Sequence, residues 1–445
     1  MSFDSDKLIA VLRGLPAAQC YWIGYSGGMD SSVLLQALAQ QKQVLGAELR
    51  AIHVNHHIHP QSDDWQAHCE QACAKLLVQL ECGSVEISTT KGESLEAVAR
   101  QRRYDVYRGL MREGDMLLLA HHQDDQMETF LLQALRGAGL RGLAAMPVMT
   151  EFAGGRLARP LLGFTRAELH DWAQTQKLTW LEDPSNADTC FDRNYLRQCV
   201  IPQIQERWPS AAQTISRSSR HCSEPLELLA VLAEGDLQRC SDSTGDALSV
   251  PALQTLGDMR AKNVLRHWLE GLALPLPPAH KVEQILQEVL PARADRNPCV
   301  IWQGAELRRY HDRLYGLRPL PEPSTEEFQL RPGESLELSP GLGRLGLVPV
   351  AGEGLRAAAC PAVGLRVRFR VGGEICQPLG RSHHRPLKKW LQEFEVLPWM
   401  RERLPLIYIG DQLAAVAGLF ECAPFAVGPG EPGLRIEWRS HPALH

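Results

Sequence analysis

Short apolar runs alternate with longer stretches of three-to-four-residue apolar spacing over the first half of the chain. The apolar runs predict strands over 20–25, 49–54, 85–88, 116–120 and 156–162. The spaced stretches predict helices over 31–41, 63–80, 94–113 and 126–136. Such alternation implies an α/β fold over 1–215: a doubly wound, mostly parallel sheet with helices on both faces, binding its ligands beyond the carboxyl ends of the strands. Thr165-Arg166-Ala167-Glu168 reads as a capping box opening a further helix. From 216 the pattern turns to helices alone, with 258–270 and 281–290 the clearest, and predicts a small helical domain over 216–318. Prolines at 319, 321, 323, 332 and 340 mark 319–340 as a linker, and glycine-punctuated short runs over 341–445 suggest a small α+β domain. No internal repeat is visible.

Two of the strand-to-helix junctions carry dense polar chemistry. At the first, the apolar run Tyr21-Trp22-Ile23-Gly24-Tyr25 passes through Ser26-Gly27-Gly28-Met29-Asp30-Ser31 into a helix. Glycines there let the backbone approach a ligand and reach positive φ, so successive N–H groups form an anion nest completed by the helix start. A Walker loop would need a lysine, and none lies between 21 and 41. The acid Asp30 stands there instead, which calls for a divalent cation to screen bound phosphates. The string Ser-Gly-Gly-x-Asp-Ser resembles the PP-loop of the ATP pyrophosphatases. At the second junction, 117–120 leads into His121-His122-Gln123-Asp124-Asp125-Gln126-Met127-Glu128. Asp125 and Glu128 share a helix face, with Asp125 the better placed to hold a cation, and His121 or His122 can orient a phosphate. The histidines at 53, 56, 57 and 59 lack partners at zinc spacing, so His56 reads as lining the nucleotide pocket.

Composition narrows the setting without changing this picture. The 445 residues are 44% hydrophobic and 22% charged, as in a globular protein of two or three domains. Residues 1–6 lack a signal-peptide build and no apolar run reaches spanning length, so a cytoplasmic protein with no membrane association is expected. Twelve cysteines without any Cys-x-x-Cys read as reduced thiols. The net charge of −5 argues against a generally basic surface, yet 366–403 holds nine basic residues against four acids. Such an island can grip RNA phosphates, with Trp390 and Trp399 placed for stacking or core packing. A polar block over 181–197, including Asp183, Arg193 and Arg197, reads either as a turn and a helix with basic residues on its wet face or as a pocket beside the nucleotide for a zwitterionic amino acid or an RNA phosphate.

The succession of these blocks resembles the bacterial tRNA(Ile)-lysidine synthetases over nearly the whole chain. The motifs are the 26–31 loop, Glu96-Ala97-Val98-Ala99-Arg100-Gln101-Arg102-Arg103-Tyr104, the 121–129 loop, Arg136-Gly137-Ala138-Gly139-Leu140, Arg159-Pro160-Leu161-Leu162, the 183–197 block and the C-terminal stretch from Gly372-Gly373-Glu374 to Arg401. The resemblance implies that ATP adenylates the carbonyl oxygen of the wobble cytidine in a CAU-anticodon isoleucine tRNA. The ε-amine of L-lysine then displaces AMP, changing the codon read from AUG to AUA. It further implies ATP and Mg2+ as cofactors, with the helical domain and the C-terminal α+β domain binding tRNA. Nucleotide binding falls to Ser26, Gly27, Gly28, Met29, Asp30, Ser31, His56 and His122, metal binding to Asp30 and Asp125, and catalysis to Asp30, Asp125 and Arg197. A homodimer is left open. The rival within the superfamily, a PP-loop tRNA thiolase, would want a Cys-x-x-Cys or reactive cysteines. An amidotransferase-type synthetase would need an ammonia-supplying domain, and a non-catalytic RNA-binding protein would not need these acids.

Overall fold

A computed structural model describes residues 2–87, 95–242, 245–293, 296–361 and 363–444. The chain divides into two compact units, 1–228 and 229–445. In the first unit six strands, β1 (Cys20–Gly24), β2 (Glu48–Asn55), β3 (Gln79–Ser84), β4 (Met116–Leu118), β5 (Met149–Phe152) and β6 (Gly155–Ala158), form one sheet in the order β3-β2-β1-β4-β6-β5. All neighbours are parallel except β5, which runs antiparallel to β6. Alternate side chains feed two cores, as a doubly covered sheet requires. Tyr21, Ile23, Met116 and Leu118 pack with helices Ser5–Arg13, Met29–Gln40 and Arg166–Thr175 on one face. Trp22, Ile52, Leu117 and Leu157 pack with Tyr107 and Met111, at and just beyond the end of helix Leu95–Leu110, on the other. Because β1 has β2 on one side and β4 on the other, the strand order reverses there, and both polar junctions open at the carboxyl ends flanking that crevice.

Several boundaries differ from the sequence expectation. The third strand is Gln79–Ser84, not 85–88, and the helix before it is Ser62–Lys75 rather than 63–80. Leu77, at φ 52, turns the chain out of that helix, and pairing with β2 from Arg50↔Gln79 to Asn55↔Ser84 fixes the register. Residues 85–87 are irregular, while Ser88 and Ser94, the predicted ends of a strand and a helix, lie outside the described residues. The hairpin of β5 with β6 turns through Ala153 and Gly154, both at positive φ, and its first strand went unpredicted. The capping box is present: Thr165 Oγ1 accepts from Glu168 N, while Glu168 accepts from Thr165 N at 2.8 Å.

In the second unit the expected helices-only region contains a four-stranded antiparallel sheet, ordered Ala247–Ser249, Arg313–Leu317, Ala305–Tyr310, Cys299–Trp302. Its strands pack on helix Asp258–Gly271 through Val264, Leu265, Trp268 and Leu269. Part of the expected linker is also ordered, since Phe328–Leu330 pairs with Leu365–Arg368 and Ser335–Glu337 with Arg344–Ala351. Trp390 and Trp399 are buried in the core of this unit, so they are packing residues. Much of the basic island is paired. Arg366 meets Asp411 at 3.0 Å, Arg370 meets Glu374 at 3.5 Å, and Arg381 and Arg385 share Glu393. Lys388 and Lys389 are exposed. No helix among the described residues is long and apolar enough to cross a membrane.

Candidate active site

The first junction folds as a nest. Gly27 sits at φ +82, and a Cβ there would lie 2.7 Å from Leu181 Cδ1 and 3.0 Å from Cys69 Sγ, so a side chain is excluded by conformation and by space. Gly28 caps helix Met29–Gln40, whose first N–H groups have no intrahelical partner. Ser31 Oγ donates to Gly28 O at 3.0 Å and lies 3.1 Å from Ser26 Oγ, which ties the two serine hydroxyls across the loop. His53 Nδ1, 3.0 Å from Tyr25 O, fastens the strand end below.

The second junction meets the first through one imidazole. His122 is the N-cap of helix Gln123–Leu135: its Nδ1 accepts from Asp125 N at 3.4 Å while its N–H donates to Asp125 Oδ2 at 3.0 Å. Its Nε2 lies 3.6 Å from Asp30 Oδ2 and 3.4 Å from Asp125 Oδ2, so this buried ring bridges the two acids. Burial works against protonation of His122, but the carboxylates of Asp125, Asp30 and Asp124 outweigh it and raise the ring's pKa. For Asp125, burial favours the neutral acid, yet His122 and Arg193 prevail and lower its pKa.

Beyond Asp125 lies a charged cluster that sequence reasoning left unassembled. Glu128, 2% exposed, accepts from Arg193 Nε at 2.7 Å and from Arg197 Nε and Nη2 at 2.6 and 2.9 Å. Asp125 Oδ1 accepts from the same two arginines at 3.4 and 3.2 Å. Burial disfavours the Arg197 charge, but the bond to Glu128 and the nearby acids hold its pKa above the usual value. The signal was in the spacing: Asp125 and Glu128 are three apart, Arg193 and Arg197 four apart, so each pair shares a helix face.

Ser26, Gly28, Asp30, Ser31, His56, Asp125, Arg193 and Arg197 line one cavity of about 660 Å³. Gly27, Met29 and His122, also expected at the nucleotide, are not among its lining residues. Met29 is buried in the core below, Gly27 packs on Leu181, and His122 stands behind the acids. Its neighbour His121 faces the cavity instead, with burial first among the causes that lower its pKa to about 3. Asp30 Oδ1 is buried without a hydrogen-bond partner, an orphaned anionic oxygen suited to a cation. Asp125, the other expected metal ligand, has both oxygens engaged by His122 and the arginines. Among the described residues no group of three or more His, Cys, Asp or Glu forms a ready metal cluster.

A glycine nest opening a helix at the switch point of a parallel sheet, with an acid where a Walker lysine would be, defines a PP-loop domain. The description "PP-loop domain" matches residues 4–204, "TilS substrate binding domain" 248–315 and "TilS substrate C-terminal domain" 365–438. Proteins named tRNA(Ile)-lysidine synthase are similar over almost the entire chain. That of Coxiella burnetii is 40% identical over 98% of this chain and 96% of its own length. That of Alkalilimnicola ehrlichii is 41% identical over 96% and 95%, and that of Escherichia coli O157:H7 40% over 96% and 98%. Among solved structures, a U34-tRNA thiolase from Methanococcus maripaludis is similar over 49% of this chain and 78% of its own, at 18% identity and a TM-score of 0.41. The chain belongs to the tRNA(Ile)-lysidine synthase family.

Proposed function

We propose that this chain is an ATP-dependent carbon–nitrogen ligase that attaches L-lysine to carbon 2 of the wobble cytidine in CAU-anticodon isoleucine tRNA. The observation that carries the reading is that an anion nest, an orphaned carboxylate oxygen, Asp125 and the Glu128-backed pair Arg193 and Arg197 face one cavity. The cytosine carbonyl oxygen is a poor leaving group, so it first attacks the α-phosphate of ATP, and pyrophosphate departs. The ε-amine of lysine then attacks carbon 2, loses a proton, and AMP departs. No covalent bond to the protein is required.

In this reading the Ser26 and Ser31 hydroxyls and the N–H groups at the start of helix Met29–Gln40 hold the departing pyrophosphate, which is electrostatic stabilisation of developing charge. Asp30 would hold Mg2+ through its unpartnered Oδ1, and the ion would screen the phosphates there. His122 keeps Asp30 and Asp125 oriented from behind. Arg193 and Arg197, backed by Glu128, present half-buried guanidinium edges to the cavity and suit the carboxylate of lysine. The thiolase alternative is disfavoured by the absence of Cys-x-x-Cys and by relatives near 40% identity that carry the lysidine synthase name.

Pyrophosphate release measured with ATP plus tRNA, ATP plus lysine, and all three tests this. Release should need tRNA and become multiple-turnover only when lysine is added. Release with lysine alone would point to an aminoacyl adenylate and overturn the order of steps.

A further inference from the structure

The cavity has a second end that phosphate and lysine chemistry leave unexplained. In the loop after β2, the imidazole of His59 lies flat against the indole of Trp65, centroids 4.9 Å apart and planes 11° from parallel. Both rings line the same cavity as Ser26 and Asp30. The loop that carries His59 is tied to the start of helix Ser62–Lys75, which carries Trp65. His57 sits at φ 51, an uncommon backbone for a residue with a side chain, and is kept there by its N–H to Asn55 Oδ1 at 3.0 Å and its Nε2 to Ser84 Oγ at 2.8 Å. Asn55 in turn donates to Asp63 at 3.0 Å and Gln66 at 3.3 Å in the helix that bears Trp65, and Gln61 N donates to His59 Nδ1 at 3.2 Å.

His56, three residues before His59, also lines the cavity, and its Nδ1 is buried without a hydrogen-bond partner. Burial, with Arg103 adding to it, pushes its pKa down to about 4, so the ring is neutral near pH 7 and can donate or accept a hydrogen bond. A buried polar atom without a partner in a ligand cavity is a place where a ligand atom belongs. An aromatic stack and an unsatisfied ring nitrogen lining one cavity offer what a nucleobase needs: a flat face to lie on and a partner for its polar edge.

We propose that Trp65 and His59 form a nucleobase platform in the cavity, with His56 facing the edge of the bound base. This deepens the proposed function and rests on it, since that reading supplies two bases, the adenine of ATP and the cytosine of the tRNA. The experiment separates them. Affinities for ATP and for inorganic tripolyphosphate, both with Mg2+, are measured by calorimetry for the wild type, Trp65→Leu and Trp65→Phe, and KM for tRNA is measured in turnover. Stacking of one base changes affinity about 5- to 150-fold.

Trp65→Leu should weaken ATP by a factor in that range, leave tripolyphosphate unchanged, and be rescued by Trp65→Phe. That pattern assigns the platform to adenine. An unchanged ATP affinity with a tRNA KM raised by the same factor, again rescued by Phe, assigns it to cytosine. Equal losses for ATP and tripolyphosphate, or no change in any of the three, overturn the proposal. If Trp65→Leu lowers the melting midpoint, His59→Ala in the adjoining loop carries the same comparison. Failure of the wild type to incorporate lysine would refute the parent reading while leaving the ATP and tripolyphosphate comparison intact.

Discussion

Glu128→Ala probes the charged cluster most sharply. The carboxylate is 2% exposed and accepts three charge-assisted hydrogen bonds from two guanidiniums, whose side chains are 27% and 35% exposed. Removing one partner of a fully buried ion pair costs about 3 to 5 kcal/mol. Here water reaches part of both arginines, and Asp125 still accepts from each, so a loss of about 2 to 4 kcal/mol is expected. For a folding unit of this size that corresponds to a fall of roughly 5 to 15 °C in the melting midpoint. Glu128→Gln keeps the volume and one acceptor oxygen, so it should lose about half as much. In turnover, Glu128→Ala should raise the KM for lysine while leaving the calorimetric affinity for ATP near wild type, because the nest does not depend on Glu128. A melting midpoint within about 1 °C of wild type would refute the energetic reasoning. Loss of ATP affinity as large as the loss for lysine would refute the assignment of the cluster to the amino acid.

Other perturbations discriminate among the remaining parts. Asp30→Ala should reduce tRNA-dependent pyrophosphate release about a hundredfold or more with only a small drop in melting midpoint, since Asp30 Oδ1 has no protein partner and His122, 3.6 Å from Asp30 Oδ2, keeps Asp125 at 3.4 Å; near-wild-type release at saturating Mg2+ would remove Asp30 from the metal site. Gly27→Ala forces a side chain into a positive-φ position against Leu181 and Cys69, so it should lower stability by about 1 to 2 kcal/mol and weaken ATP binding; a thermal scan and titration indistinguishable from wild type would mean the nest is not rigid. Lys388→Ala with Lys389→Ala should raise KM for tRNA and flatten its salt dependence by about 0.7 to 0.9 in logarithmic slope per lost phosphate contact, with turnover at saturating tRNA preserved. An unchanged slope would leave these lysines as a solvated surface.

The parts of the fold legible in the sequence are those with strong local signals. The 26–31 loop, the 121–128 loop and the Thr165 capping box each combine a buried strand or helix start with turn chemistry, and the structure has the corresponding elements there. The third strand was mislocated because 78–82 and 85–88 alternate alike, and only pairing with β2 selects between them. The small sheet of the second unit escaped because its strands are only three to six residues long, and the first of them, Ala247–Ser249, is fixed by a partner far away in sequence, Arg313–Leu317. At the site, Glu128 and Arg193 lie 65 residues apart, so their bond exists only once two helices pack. The consecutive histidines show the limit of residue-level reading. His121 and His122 point in different directions at a strand end, and the one expected at the nucleotide instead props up the acids.

The central claim is that ATP is spent to join lysine to one cytidine. Incubating the full chain with Mg2+, ATP, isotopically labelled lysine and a CAU-anticodon isoleucine tRNA transcript, then digesting to nucleosides for mass spectrometry, tests it directly. Label should appear in a single modified cytidine at the wobble position, only with ATP present, and not in a transcript carrying uridine there. Label elsewhere in the RNA, or ATP consumption with no label in the RNA, would contradict the account.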